Sequence, residues 1–97
     1  MKLALFFLLG LLSVYPQTTY YSRISGTVNT LSNWNTARNG SGTNASSFGD
    51  NNIWIIQNTH SMTLSSSSTW NVGANGVVII EDGGTWTNSS SGIVTIG

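Results

Sequence analysis

Apolar residues recur at every eighth position over the second half of the chain. The first series is Trp54, Met62, Trp70, Val78, Trp86 and Val94. A second series two residues later is apolar in all but one place: Ile56, Leu64, Val72, Ile80, Asn88 and Ile96. A period of two within short segments is typical of strands with one buried face. A fixed spacing maintained over six segments indicates a repeat architecture. The pattern predicts an all-β fold, a right-handed parallel β-helix (β-solenoid) made of 8-residue strand-turn units.

An antiparallel meander of hairpins is the main alternative, because it also combines short strands with glycine-rich turns. Hairpin loops usually vary in length, whereas the spacing here stays at eight residues. Among the turns between these segments, only Asn75-Gly76 and Asp82-Gly83 supply the dipeptides that tight hairpin turns prefer. The constant spacing therefore favours the solenoid.

The number of strands in one coil is left open by the sequence. Trp54, Trp70 and Trp86 repeat at every second strand-turn unit, which fits a flat, two-sided coil. A three-sided coil, made of three such units, would instead place Trp70 next to Val94 and Trp54 next to Val78. We favour the three-sided form because it has more interior volume, and the right hand because parallel crossovers are almost always right-handed.

Three regions follow from the apolar pattern. Residues 1–17 resemble a signal peptide, with Lys2 before an apolar run at 3–14 that is short for a hydrocarbon layer of about 30 Å. Residues 18–50 contain few apolar side chains and a Gly/Ser/Asn loop at 36–47, and we expect them to form an N-terminal cap over the first coil. Residues 51–97 form the solenoid coils. Because the sequence stops at Ile96-Gly97 without a second cap, we expect a fragment truncated at its C-terminus.

Composition limits the cellular locations and the binding partners that the protein can have. The protein has 3 basic and 3 acidic residues and 0 cysteines in 97 residues. A chain without a basic patch has no electrostatic attraction for nucleic acid or for an anionic membrane. Without cysteine it forms neither disulfides nor thiolate metal sites. With the predicted leader, the composition indicates a secreted or cell-surface protein that leaves the membrane once the leader is cleaved.

Several segments resemble the N-terminus of large secreted Bacteroidetes-type surface proteins. They are Thr19-Tyr20-Tyr21-Ser22-Arg23-Ile24-Ser25-Gly26, Asn33-Trp34-Asn35-Thr36, the stretch from Gly49-Asp50 to Thr63-Leu64, and Gly83-Gly84-Thr85-Trp86-Thr87. The chain departs from that family at 27–31, which lacks the usual tryptophan, and at Thr59, which stands where the family has glycine before His60. The resemblance implies a cap followed by a parallel β-helix, export, and an adhesin-like or matrix role.

The titratable residues give little support for catalysis. A glycosidase needs two carboxyl groups facing each other about 5–9.5 Å apart, whereas Glu81 and Asp82 are neighbours in one turn and diverge. We expect Asp50 to close a turn rather than bind Ca²⁺. His60 is the single histidine, which makes a zinc site unexpected, and we interpret it as a turn residue whose ring nitrogen bonds a carbonyl. We predict no catalytic residues, no cofactor and no metal, so the protein is not an enzyme.

Carbohydrate binding remains as a different class of function. Trp34, Tyr20 and Tyr21 are candidate contacts for sugar rings, although packing under the cap is the more expected role for them. Trp54, Trp70 and Trp86 share the inward series and are expected to pack in the core. We therefore predict a non-catalytic structural or adhesive part of a secreted surface protein. Its partners would be extracellular polysaccharide or a host or matrix surface, and further β-helix coils of the same longer chain. The alternative is a carbohydrate-binding module or the start of a β-helix polysaccharide lyase.

Overall fold

The computed structural model describes residues 17–89 and 91–96, and the fold there is all-β, as the sequence predicts. A single 3-10 turn at Leu31–Asn33 is the one helical element of this part. The strands are β1 (Thr19–Ser22), β2 (Gly26–Thr27), β3 (Trp34–Asn35), β4 (Ile53–Ile56), β5 (Ser61–Leu64), β6 (Thr69–Val72), β7 (Val77–Ile80), β8 (Thr85–Asn88) and β9 (Ile93–Ile96). The predicted signal peptide lies outside the described residues except for Gln17. Within residues 17–89 and 91–96, no helix is long and apolar enough to cross a bilayer.

Strand pairing joins each strand of the repeat to the third strand after it. Ile53 pairs with Val77, Ser61 with Thr85, and Thr69 with Ile93, all in parallel. Three sheets result, with the strand orders β3-β1-β4-β7, β2-β5-β8 and β6-β9. Consecutive strands from β4 to β9 thus lie in different sheets, which excludes the hairpin meander for this part of the chain.

The same registers decide between pairing at every second strand and pairing at every third strand. Trp54 lies beside Val78 and Trp70 beside Val94, so the tryptophans are not paired at every second strand. We call β4, β5 and β6 the first layer, and β7, β8 and β9 the second layer. Each strand of the second layer pairs with the strand of the first layer that precedes it by three in the chain.

The inward positions of the first layer form the core. Trp54, Met62 and Trp70 are fully buried, and at the second inward position of each strand Ile56 and Leu64 are fully buried and Val72 nearly so. The matching residues of the second layer that begin the inward pair, Val78, Trp86 and Val94, are half-buried and pack against this core. The period of two in the sequence therefore places these side chains as predicted.

Four-residue turns connect the strands and share one backbone feature. The third residue of each turn from Asn51 to Gly83 has positive φ: Asn51 62°, Thr59 72°, Ser67 61°, Asn75 61° and Gly83 85°. In the four turns that follow β4, β5, β6 and β7, the N–H of the next residue donates to the carbonyl that opens the turn, for example His60 to Gln57 at 3.0 Å and Gly84 to Glu81 at 2.8 Å. Positive φ at the third residue is the requirement of type II turns.

Residues 18–50 cover the first layer from one end. In this segment β1 pairs in parallel with β4, β2 pairs in parallel with β5, and β3 is antiparallel to β1. Trp34 is fully buried, and its ring centroid lies 5.4 Å from that of Trp54 and 5.8 Å from that of Trp70. Phe48 lies against the same two rings, at 4.9 and 5.8 Å. These aromatic contacts keep the first-layer core from solvent.

Candidate functional site

A polar corner joins the cap segment to both layers, and it contains most of the titratable side chains that have partners. The loop after β3 carries Arg38, whose guanidinium forms an ion pair with Glu81 in the turn that follows β7. The guanidinium carbon also lies 4.6 Å from the ring centroid of Tyr21, on β1. A cation over a tyrosine face is attracted by the ring quadrupole. The corner therefore links three segments that are distant in sequence.

Gln57 organises the inner side of this corner. Its side-chain amide donates to the carbonyls of Ser22 and Arg38, both at 2.7 Å, and its carbonyl oxygen accepts from the Arg38 guanidinium at 3.2 Å. Its backbone N–H donates to the Ser22 hydroxyl oxygen at 3.0 Å. One glutamine thus ties the loop, β1 and the first turn of the repeat together.

His60 bonds a hydroxyl group, and the expectation that its ring would bond a carbonyl was wrong. Its Nδ1 lies 2.7 Å from the Oγ of Ser22. Because Ser22 is fully buried, its hydroxyl has no access to a substrate, although serine beside histidine is the arrangement of an activated nucleophile. The pair joins β1 to the turn before β5.

The Arg38–Glu81 pair shifts the titration of both groups. The hydrogen bond to Arg38 lowers the pKa of the Glu81 carboxyl, and partial desolvation opposes this without reversing it. The same hydrogen bond raises the pKa of the Arg38 guanidinium. Both side chains remain open to water, so the interaction is screened by solvent and salt. Glu81 is held as an ionised carboxylate, which is the opposite of the protonated form that a general acid requires.

The candidate sugar-binding residues do not form one exposed face. Trp34 is fully buried, and its Nε1 donates to the carbonyl of Val28 at 2.8 Å. Tyr20 is half-buried and stacks on Trp54, with ring centroids 4.8 Å apart and an interplanar angle of 15°. Tyr21 is half-buried at the polar corner. Because stacking on a sugar needs a free aromatic face, Trp34 is unsuited to that role and packs under the cap instead.

Asp50 closes a turn. Its Oδ1 accepts the backbone N–H of Ala74 at 2.9 Å, and Ala74 lies in the corresponding turn of the second layer. No three His, Cys, Asp or Glu side chains within residues 17–89 and 91–96 come together as metal ligands.

The inward tryptophans form a connected aromatic core. Trp70 meets Trp86 edge to face, with centroids 5.4 Å apart at 82°. The indole nitrogens of Trp54, Trp70 and Trp86 are buried without a hydrogen-bond partner. Edge-to-face aromatic pairs are favourable beyond the area they bury. The packing role expected for Trp54 and Trp70 is confirmed by their complete burial.

The polar corner was missed by the sequence analysis. Arg38 and Glu81 are 43 residues apart, and Ser22 and His60 are 38 apart. None of these side chains belongs to the eight-residue pattern, so a three-dimensional register is needed to bring them together. The one sequence feature that pointed to this corner is the Gly/Ser/Asn loop at 36–47, which contains Arg38. A loop of this composition must lie on another part of the molecule to be ordered.

Comparison of the chain with models of protein families, with curated proteins and with solved structures found no match.

Proposed function

We propose that the protein is a non-catalytic structural or adhesive part of a secreted cell-surface protein, formed by the cap and first coils of a right-handed parallel β-solenoid. The observation that carries the proposal is the parallel register between every third strand, repeated in three sheets. A right-handed path is the expected one, because parallel crossovers take that hand in nearly all proteins. A solenoid of this kind is a rigid spacer whose length grows with the number of coils.

The partners of the titratable side chains support a structural role. Glu81 is paired with Arg38, Asp50 accepts a backbone N–H, and His60 bonds a buried serine. Each group is engaged in joining neighbouring segments of the chain. Chemistry on a substrate would require at least one of them to face a cleft in a reactive protonation state.

The outer strand faces support contact with solvent or with a neutral surface. Ser61, Thr63, Thr85 and Thr87 lie exposed on two paired strands, with the Ser61 and Thr85 hydroxyls 2.6 Å apart. Neutral hydroxyl groups keep such a face hydrated without attracting a charged ligand. An extracellular polysaccharide or a matrix surface is a fitting contact for it.

Export is tested by comparing the whole chain with a variant that lacks residues 1–17. We expect the full protein with a C-terminal epitope tag to appear on the surface or in the medium of a Gram-negative host, and a variant without residues 1–17 to remain inside. The measurement is tag accessibility to external protease, with a cytoplasmic marker as the control. Equal retention of both forms would contradict the secreted location.

Binding is tested on a glycan array with the exported protein. A purely structural part gives no saturable signal, and an adhesive part gives a signal that Tyr21→Ala leaves unchanged. A saturable signal abolished by Tyr21→Ala, but kept by Thr63→Ala on another face, would favour the carbohydrate-binding module instead. Release of unsaturated sugar products from a polyuronate would favour the lyase and would contradict a non-catalytic role.

A further inference from the structure

The chain contains two Asn-Gly pairs, and the structure places them in different surroundings. They are Asn39-Gly40 in the loop at 36–47 and Asn75-Gly76 in the turn between β6 and β7. An asparagine followed by glycine can lose its side-chain amide, because glycine has no side chain to hinder attack by its own backbone nitrogen. Both pairs carry this chemistry, and their surroundings decide which of them reacts.

Several features are common to the two pairs and do not separate them. Asn39 and Asn75 are both exposed to solvent. Each glycine N–H donates to the carbonyl three residues earlier, at 3.0 Å for Gly40 and at 3.1 Å for Gly76. In each pair the attacking nitrogen must therefore give up one hydrogen bond of its turn before it reacts. A difference in reactivity has to come from the asparagine side chains.

The Asn39 side chain accepts two hydrogen bonds from the residue that follows Gly40. Its Oδ1 accepts the backbone N–H of Ser41 at 3.1 Å and the Ser41 hydroxyl at 2.6 Å. Two donors on one amide oxygen draw electrons from the side-chain carbon, and they stabilise the negative charge that this oxygen gains when a nucleophile attacks. The arrangement is that of a small oxyanion hole on the Asn39 side chain.

The Asn75 side chain is engaged through its nitrogen instead. Its Nδ2 donates to the Oδ1 of Asn51 at 3.2 Å, in the corresponding turn of the first layer. Within residues 17–89 and 91–96 this is the one hydrogen bond of the Asn75 side chain. A bond donated by Nδ2 stabilises no charge on the amide oxygen, and it ties the leaving nitrogen to the neighbouring layer. The surroundings therefore favour reaction at Asn39.

We propose that Asn39 is a site of spontaneous deamidation through a cyclic succinimide, and that Asn75 is spared. The Gly40 nitrogen loses its proton to a base from solvent and forms a bond to the Asn39 Cγ. The electron pair of the carbonyl moves to Oδ1, where the two Ser41 donors hold it. As it returns, the Cγ–Nδ2 bond breaks, and the nitrogen takes up a proton and leaves as ammonia.

Water then opens the five-membered ring in one of two ways. Addition at Cγ breaks the new bond and leaves aspartate. Addition at the main-chain carbonyl carbon of Asn39 breaks the original peptide bond and leaves isoaspartate, with the chain running through Cβ and Cγ. One water enters and one ammonia leaves, and nothing is oxidised. The protein, whose formal net charge is +0 at pH 7, gains one negative charge.

The two products differ in their effect on the polar corner, because residue 39 directly follows Arg38. Aspartate keeps an oxygen that accepts both Ser41 donors, and a charged acceptor strengthens such bonds. Isoaspartate lengthens the main chain of the loop by one carbon. It therefore opposes the bond that closes the loop, in which the Thr36 N–H donates to the Thr43 carbonyl at 3.0 Å. We expect only the isoaspartate form to loosen the polar corner.

Incubation of the purified protein at mildly alkaline pH tests the proposal. Peptide mass spectrometry measures the exchange of ammonia for water at each asparagine, and isoelectric focusing measures the added charge. We expect Asn39 to react at least about ten-fold faster than Asn75, the effect of two added hydrogen bonds of ordinary strength. Reaction of Asn75 at an equal or greater rate would overturn the proposal.

Ser41→Ala removes the hydroxyl donor and keeps the Asn-Gly pair. We expect this variant to deamidate at Asn39 about three- to ten-fold more slowly, as the loss of one hydrogen bond predicts. Ser46→Ala is the matched control, because Ser46 is an exposed serine of the same loop, and it should leave the rate unchanged. Equal rates in the two variants would contradict the role of the hydroxyl.

Unfolding the original protein in urea separates the effect of the fold from that of the sequence. The donors of Ser41 are no longer held there, so Asn39 and Asn75 should react at similar rates. An undiminished preference for Asn39 in urea would overturn the structural explanation. This test involves no substitution, so it does not depend on whether a variant folds.

Asn39→Asp supplies the aspartate product directly. Its thermal midpoint should match that of the original protein, whereas aged protein enriched in isoaspartate should melt at a lower temperature. Equal midpoints of the two forms would overturn the effect on the polar corner. All of these readouts use purified protein, so a failure of export or of glycan binding would leave them unaffected.

Discussion

At the residue scale, backbone conformation separates positions that look alike in the sequence. The third residue of every turn from Asn51 to Gly83 has positive φ, yet asparagine, threonine, serine and glycine all occupy this position. Glycine takes this conformation without steric cost, and asparagine tolerates it. Thr59 is β-branched, and such a residue at positive φ is a strained exception. Because Thr59 holds a branched β-carbon at a φ of 72°, it is the least suited of the five to this conformation.

Thr59→Gly should therefore stabilise the protein. A left-handed conformation costs a residue with a side chain roughly 1–2 kcal/mol, and the extra flexibility of glycine in the unfolded chain offsets roughly 0.5–1 kcal/mol of that gain. We expect the free energy of unfolding to rise by about 0.5–1 kcal/mol in urea titrations. Thr63→Gly, on the exposed face of β5, is the control and should lower it. A loss of stability in Thr59→Gly would show that the threonine side chain is needed in the turn.

Trp34 and Trp54 provide a second contrast at this scale. Both are fully buried, but Trp34 donates to the Val28 carbonyl, while the Trp54 indole nitrogen has no partner. Trp34→Phe leaves a buried carbonyl unsatisfied, at a cost of about 1–3 kcal/mol in addition to the lost contacts. Trp54→Phe removes an unpartnered donor, so we expect a smaller loss. Chemical denaturation of the two variants compares them, and a greater loss in Trp54→Phe would point to an unrecognised acceptor.

The Glu81 carboxylate predicts a dependence on pH. Because its pKa is lowered in the folded protein, the ion pair stabilises at pH values above the ordinary carboxyl pKa, and this contribution disappears as the pH falls through the lowered value. Glu81→Gln should therefore be less stable than the original protein near neutral pH, and the difference should shrink in acid and in high salt. Thermal midpoints across pH measure it. Asp82→Asn is the control, since no ion pair of Asp82 occurs within residues 17–89 and 91–96.

At the element scale, the sequence predicted the strands of the repeat, but it left two possible pairings between them. The eight-residue period located six strands and their inward faces, because burial on one face imposes alternation directly on the sequence. The period is compatible with pairing at every second or at every third strand, since both intervals are whole numbers of units. Side-chain volume favours pairing at every third strand. The observed register places Trp54 next to Val78 and Trp70 next to Val94, so a large residue neighbours a small one. The cap strands lacked any period, and their pairing could not be derived from composition.

Gly73 shows how tightly the turns pack on each other. A β-carbon at Gly73 would lie 2.5 Å from the backbone carbon of Gly49 and 2.6 Å from the backbone nitrogen of Asp50. Backbone atoms cannot move aside as the end of a side chain does, so Gly73→Ala should destabilise by about 1–3 kcal/mol. Gly49→Ala is the control, because its nearest neighbour is the Ser47 hydroxyl at 3.2 Å. Equal stability of the two variants in urea would contradict this packing.

At the scale of the whole molecule, the cap segment contacts the layers through both aromatic packing and the polar corner. Trp34 and Phe48 pack on first-layer tryptophans, and the polar corner bonds β1, the loop of Arg38 and both layers. The change in composition near residue 50 predicted a separate segment at 18–50, and in the structure two strands of this segment pair with β4 and β5. The corner was not, because its members share no pattern and meet only once the register is fixed.

Removal of residues 18–50 should abolish cooperative folding of the remaining chain. Trp54, Met62 and Trp70 would lose their cover, and burial of such side chains is the main term that offsets chain entropy. We expect the shortened protein to show no sharp thermal transition by circular dichroism and to associate through its exposed aromatic residues. The protein without residues 1–17 is the reference. A sharp, monomeric transition in the shortened chain would show that the cap is dispensable.

The pairing of every third strand also governs which changes in length such a chain tolerates. Inserting three strand-turn units returns every later strand to its own sheet, so the inner and outer faces keep their chemistry. Inserting a single unit moves each later strand to the neighbouring sheet. Val77 and Ile79 would then replace Thr85 and Thr87 beside Ser61 and Thr63. Duplication or loss should therefore occur in whole sets of three units, and shorter changes should be confined to the loop at 36–47, which lies outside the repeated strands.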